Sequence, residues 1–151
     1  MEISAKLRWT DGLRFNAEIQ GRTIELNSAD EMGRAFTPME LFLAAVGGCT
    51  GMDFQWILSR QRQRLTGLEI SVLGRRRKED PRYYEQIDLN YAVHGTDIRK
   101  DAVERAIRLS QEKYCSVKAM LKDSVKFVIS YTIANGNEPP MTFIYQNPIP
   151  A

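Results

Sequence analysis

Two side chains in this sequence can act as soft nucleophiles or redox groups: Cys49 and Cys115, the only cysteines among 151 residues. A thiolate attacks peroxides, disulfides and electrophiles, whereas a thiol kept protonated in apolar surroundings is inert. Free cysteines are among the most buried residue types, so two buried small hydrophobes is the plainest reading before motifs are weighed. The pair forms no Cys-x-x-Cys, and His94 is the only histidine. Two Cys and one His so far apart in sequence make a poor zinc set, and no metal or cofactor is expected.

Cys49 lies in the longest apolar stretch, Leu41 to Leu58, which is interrupted by Asp53 and by Gly47, Gly48 and Gly51. Thr37-Pro38-Met39-Glu40 precedes it. Thr37 suits an N-cap, Pro38 the first helical position, and Glu40 completes a capping box. A helix is predicted from there to about Gln63. Leu41 to Val46 is apolar on every face, so this part is expected to be buried all round. Each mid-helix glycine costs up to ~1 kcal/mol relative to Ala, which implies close approach by another backbone. The stretch is borderline for a membrane span, and a buried helix is the better reading.

Strands surround this helix. Ile3, Ala5, Leu7 and Trp9 alternate with polar residues; Asp11-Gly12 and Gln20-Gly21 then separate two further runs, Leu13 to Ile19 and Arg22 to Asn27. This is the pattern of an antiparallel meander. Leu68, Ile70 and Val72, followed by Ile87, Leu89, Tyr91 and Val93, predict a long hairpin. A second helix begins at Gly95-Thr96-Asp97 and carries Val103, Ala106, Ile107 and Tyr114 on one stripe. Cys115 falls where that helix ends, and Ser116 is placed to cap a short helix over 117–121. Val125 to Ala134 is the sixth strand.

The expected fold is therefore α+β, in the order β-β-β-α-β-β-α-β, with one six-stranded antiparallel sheet packed on a long buried central helix. Residues 1–134 are expected to form a single domain and 135–151 an extended arm, with Met141 to Tyr145 available as a short extra strand. One sheet covers one side of the helix. A second copy of the chain is an economical cover for the other, so a homodimer is expected.

A formal charge of +2 is too small to point to nucleic acid. Met1 to Trp9 lacks the apolar run of a secretion signal. A soluble, cytoplasmic protein with reduced thiols is the expectation. Arg75 to Lys78, beside Glu79-Asp80, and the lone His94 are read as solvated surface.

The run Thr37-Pro-Met-Glu-Leu-Phe-Leu-Ala-Ala-Val-Gly-Gly-Cys49-Thr resembles the central-helix signature of the OsmC/Ohr family, and Glu112-Lys-Tyr-Cys115-Ser-Val resembles the site of that family's second cysteine. The element order matches over Met1 to Ala134. The resemblance implies an intertwined homodimer with two active sites at the subunit interface, and reduction of small organic hydroperoxides. Cys49 would match the attacking cysteine and Cys115 the resolving one, with an external dithiol reducing the disulfide between them. It also implies an arginine beside the thiolate, held by a glutamate. Arg34 is the first candidate for that arginine and Arg14 the second. Met52, Phe54 and Trp56 would favour an organic peroxide over hydrogen peroxide.

Two positions depart from the pattern. The glutamate's place, ten residues before the cysteine, holds Met39. Glu40 comes nine residues before, and at about 100° per residue it points roughly away from Cys49. Its capping-box role accounts for it; Asp30 and Glu31 are the other nearby acids. Ser116 stands where the second motif usually has proline. The alternative within the same resemblance is a dimer that is not a peroxidase, binding a small apolar or electrophilic ligand or sensing thiol stress. Met39 favours that alternative.

Overall fold

In a computed structural model, residues 1–121 and 123–147 are described. The chain divides into two compact units, Met1–Phe42 and Leu43–Ala151.

The first unit is the expected meander: β1 (Ala5–Asp11), β2 (Arg14–Ile19) and β3 (Arg22–Asn27), hydrogen-bonded in that order. β2 and β3 are joined by Gln20 and Gly21, both with positive φ (49° and 75°), between paired Ile19 and Arg22. That two-residue turn matches the right-handed twist of the strands. After β3, the Asp30 carboxylate gathers the loop by accepting from the backbone N–H groups of Met32, Arg34 and Ala35 at 3.1, 2.7 and 2.8 Å. Helix α1 (Pro38–Arg60) then begins. Glu40 Oε2 accepts from the Thr37 N–H at 2.7 Å and from its hydroxyl at 2.9 Å, while the Glu40 N–H donates back to Thr37 Oγ1 at 3.3 Å. The capping box is complete.

The second unit holds the rest of α1, the long hairpin β4 (Arg64–Arg76) and β5 (Tyr84–Thr96), α2 (Lys100–Leu109), a π-helical turn (Ser110–Tyr114), α3 (Ser116–Leu121), β6 (Lys126–Asn135) and β7 (Met141–Ile144). Its core is built on one face of the sheet, from Ile87, Leu89, Tyr91 and Val93 of β5 and Ile129, Tyr131 and Ile133 of β6, with Ala102, Val103, Ala106 and Ile107 of α2 and Val46, Phe54, Ile57 and Leu58 of α1. The period-two pattern of β5 and β6 and the stripe of Val103, Ala106 and Ile107 are those read from the sequence, whereas Tyr114, read on the same stripe, is exposed in the π-helical turn.

The structure corrects several expectations. Among the described residues the strands form not one six-stranded sheet but a three-stranded sheet and a four-stranded sheet, the latter ordered β4-β5-β6-β7. β6 runs parallel to β5, with Tyr91 opposite Tyr131, because the helical connection from β5 to β6 is a crossover. The candidate strand in the arm exists as β7, antiparallel to β6. Residues 148–151 of the arm lie outside the described residues.

α1 ends at Arg60, short of Gln63. Arg62 takes a left-handed φ of 59°, its N–H reaching Ser59 O at 3.0 Å and that of Gln63 reaching Leu58 O at 3.0 Å. This is a Schellman stop made without glycine. α2 starts at Lys100 rather than near Gly95, because Asn135 holds Ile98 by both its N–H (2.8 Å) and its carbonyl (3.1 Å).

α1 is not buried all round. In the second unit Ala44, Ala45, Met52, Gln55 and Trp56 are exposed. Its glycines act on the sheet side: an added Cβ at Gly47 would lie 2.8 Å from Val72, and one at Gly51 2.9 Å from Ile70. The close neighbours are therefore β4 side chains rather than a backbone. Gly48 is open, with nothing within 4 Å of such a Cβ.

Candidate active site

Cys49 and Asp53 are one turn apart on α1, a spacing that puts both on one helical face. The chain returns to this face 57 residues after Asp53, where the π-helical turn brings in Ser110 and then Cys115. The Cys115 N–H bonds to Ser110 O at 2.9 Å, closing the wide turn. Such single-turn π segments recur at functional sites. Trp56 of α1 packs edge-on against Tyr114 with ring centroids 5.6 Å apart, holding the turn against the helix.

Cys115 itself stands at the N-cap of α3. Its carbonyl accepts from the Ala119 N–H at 3.0 Å and its Sγ from the Lys118 N–H at 3.4 Å. Ser116 is the first helical residue, not the cap read from the sequence.

The result is a cluster in which Cys49 Sγ, a carboxylate oxygen of Asp53 and Cys115 Sγ all lie within 4.8 Å of one another. Both cysteines are free. Their exposures differ: Cys115 is 3% exposed, while Cys49 is half-buried. Burial pushes the Cys115 thiol up to about 12; the Lys118 N–H opposes this, and the neighbouring Cys49 adds to it. Burial also raises the Asp53 carboxyl, against the Ser110 hydroxyl bond that lowers it.

Asp53 terminates a buried polar chain. Ser110 Oγ donates to Asp53 Oδ2 at 3.3 Å, Thr50 Oγ1 lies 3.0 Å from Ser110 Oγ, and the Tyr91 hydroxyl bonds to Thr50. With the Ser110 proton committed to Asp53, each hydroxyl keeps one donated bond only if Thr50 donates to Ser110 and Tyr91 to Thr50. Gln111 Nε2 donates to Thr50 Oγ1 at 3.1 Å and to the Tyr91 hydroxyl at 3.2 Å. The chain thus points every hydroxyl toward the carboxylate and fixes its orientation.

Of the residues singled out in the sequence, the structure brings Cys49 and Cys115 together. Arg34 belongs to the other unit, in the loop gathered by Asp30, with an exposed side chain. Arg14 is 3.7 Å from Glu25 and 3.9 Å from Asp11. Glu40 is engaged by Thr37 and Asp30 by backbone N–H groups. Met52 is 75% exposed, and Phe54 is buried against Tyr91, with centroids 4.6 Å apart. Arg75 pairs with Asp88 at 2.8 Å and Arg77 with Glu79 at 3.3 Å, and His94 is exposed.

Thr50, Asp53, Tyr91, Ser110 and Gln111 were not anticipated as site residues. For Asp53 a signal existed: an acid four residues after a cysteine, in an otherwise apolar helix, is costly to bury unless something holds it.

Comparison with known proteins adds four findings. The family model described as "OsmC-like protein" matches residues 30–130. Protein YhfA of Escherichia coli (strain K12) is 37% identical over 131 residues, covering 87% of this chain and 98% of that protein. Among solved structures, a hypothetical protein from Aquifex aeolicus VF5 superposes with a TM-score of 0.82 at 31% identity, over 91% of this chain and 99% of that one. An organic hydroperoxide resistance protein OsmC from Legionella pneumophila shares the fold, with a TM-score of 0.68 at 16% identity over 87% and 96% of the two chains.

Proposed function

Because this chain belongs to the OsmC-like family, we propose that it is a thiol-dependent peroxidase that reduces small organic hydroperoxides through Cys49 and Cys115. The observation that carries the proposal is the meeting of the two sulfurs, one half-buried and one buried, from positions 66 residues apart. The names of structural relatives that are organic hydroperoxide resistance proteins support the choice of substrate class.

The chemistry follows in two steps. The Cys49 thiolate attacks one peroxide oxygen; an S–O bond forms, the O–O bond breaks, and the departing alkoxide takes up a proton to leave as the alcohol. Cys49 is then a sulfenic acid. The Cys115 sulfur attacks the Cys49 sulfur and expels hydroxide, which is protonated to water, leaving a disulfide. In sum, one hydroperoxide and two thiols give one alcohol, one water and one disulfide, which an external dithiol reduces.

Since burial holds Cys115 as the thiol, its proton has to go somewhere as it attacks. The Asp53 carboxylate, within 4.8 Å of both sulfurs, is the nearest acid to carry that proton to the leaving hydroxide once the cluster closes around the substrate. The thiolate-stabilising cation is assigned to Arg34 on the sequence resemblance alone.

The test uses reduced protein and one equivalent of an alkyl hydroperoxide, followed by intact mass and free-thiol count. Loss of two hydrogens per chain is expected, abolished in Cys49→Ser. Cys115→Ser is expected to stop at a sulfenic acid that dimedone traps. Arg34→Ala is expected to slow the first step and spare the second. Thiols unchanged after prolonged exposure would overturn the proposal.

A second reading rests on Met39 at the glutamate position and on Glu40 being engaged in its cap. In that reading the protein captures a small electrophile at Cys49 without redox turnover. The same mass spectra distinguish it, through a covalent adduct with a model electrophile in a protein that peroxide leaves unoxidised.

A further inference from the structure

We infer that Cys49, Asp53 and Cys115 form a binding site for a thiophilic divalent cation of the Zn²⁺ type, a site that competes with thiol oxidation. The sequence argued against zinc by counting histidines and by the distance between cysteines. Folding removes both objections, since the third ligand is a carboxylate and the three donor atoms lie within 4.8 Å of one another. It is the one such cluster with thiol donors among the described residues. A tetrahedral zinc with Zn–S bonds of about 2.3 Å sets its donors about 3.8 Å apart. Closing the cluster onto an ion therefore requires shifts of no more than about 1 Å.

The surroundings are those of a ligand set, in three respects. Two sulfurs and one oxygen suit zinc and exclude magnesium or calcium, which take oxygen ligands. Each fixed ligand has an outer partner: the Ser110 hydroxyl donates to Asp53 Oδ2 at 3.3 Å, and the Lys118 N–H donates to Cys115 Sγ at 3.4 Å. Such partners orient ligands and tune affinity. Cys49 is only half-buried, so the cluster is not sealed from solvent.

In the binding step two S–Zn bonds and one O–Zn bond form, and each thiol gives its proton to the buffer. No electrons move. Joined in a disulfide, the same sulfurs can no longer act as thiolate ligands, so metal-bound and oxidised states exclude each other. A hydroperoxide accepts two electrons from the two bound thiolates as its O–O bond breaks and the S–S bond forms; two protons from the buffer complete the alcohol and water, and the ion is released. The binding itself does not depend on the peroxidase reading.

The experiment titrates the reduced full chain with Co²⁺, whose sulfur-to-metal absorption in the near ultraviolet reports thiolate ligation, and then displaces it with Zn²⁺. One ion per chain is expected. Cys49→Ser and Cys115→Ser are expected to abolish the absorption band. Asp53→Asn and, separately, Ser110→Ala are expected to weaken Zn²⁺ binding about 10- to 100-fold, with folding checked by circular dichroism. His94→Ala, on an exposed histidine, is expected to change nothing. Absence of the band in wild type, or its persistence in either cysteine variant, would overturn the site. Undiminished affinity in both Asp53→Asn and Ser110→Ala would also overturn it. Metal-free protein tested with hydroperoxide reads the peroxidase activity independently, so either idea can fail alone.

Discussion

At the scale of residues, the buried hydroxyl chain is what makes a carboxylate beside two thiols tolerable. Thr50 is its middle link, 1% exposed, between the Tyr91 and Ser110 hydroxyls. Thr50→Val keeps the shape and removes the link, leaving the buried Ser110 oxygen and the Tyr91 proton short of a partner. A buried polar group left unsatisfied costs about 1–3 kcal/mol. Thr50→Val is expected to lose that amount in urea unfolding of the reduced protein, and Thr50→Ser to recover most of it. A Thr50→Val variant as stable as wild type would show that the chain is not held in this way. The two cysteines were legible in the sequence because a continuous motif surrounds each. Asp53 was not, since what holds it comes from Ser110, 57 residues away, and no local pattern encodes that meeting.

At the scale of elements, the start of α1 was legible and its end was not. Thr37, Pro38 and Glu40 use local chemistry that the sequence states directly. The stop at Arg60 depends on Arg62 adopting a left-handed conformation that usually calls for glycine. The direction of β6 was open, because a helix between two strands permits a parallel crossover without requiring one: β3 and β4 flank α1 and lie in different sheets. Alternation alone does not distinguish the two directions.

The loop before α1 carries a pH prediction. The Asp30 carboxyl is held below its ordinary value of 3.8, foremost by the N–H of Ala35 and further by those of Arg34 and Met32. A value lowered in the fold stabilises the loop fully above the unfolded value, and that stabilisation fades as pH falls through the folded one. The Arg34 and Ala35 amide resonances are expected to titrate with a midpoint below 3.8. In Asp30→Asn they are expected to be displaced already at pH 7. A wild-type midpoint above 3.8 would mean that these bonds do not favour the carboxylate.

At the scale of the whole molecule, α1 is the element left unfinished. It has the length and mean hydropathy, 1.3, of a membrane span, yet only 33% of its most apolar window is buried within the chain. Beside it an open groove of about 700 Å³ is lined by Leu43, Ala44, Gly48 and Met52 of the helix and Ile70 and Val72 of β4. The groove is lined mainly by apolar side chains, and its small residues allow another backbone to come close. We propose that a second copy of the chain covers it, making a homodimer.

Gly48 allows the proposal to be tested without disturbing the fold. A Cβ there meets nothing within 4 Å, so a side chain can leave the helix at this point, and replacing a mid-helix glycine relieves up to about 1 kcal/mol of helix penalty. Gly48→Arg is therefore expected to keep the helical circular dichroism and thermal stability of a folded chain while converting the dimer to monomer in native mass spectrometry at micromolar concentration. Gly48→Ala, adding one methyl, is expected to weaken the dimer far less. If wild type runs as a monomer, the apolar face is covered by something else. If Gly48→Arg remains dimeric, the two copies meet elsewhere on the surface.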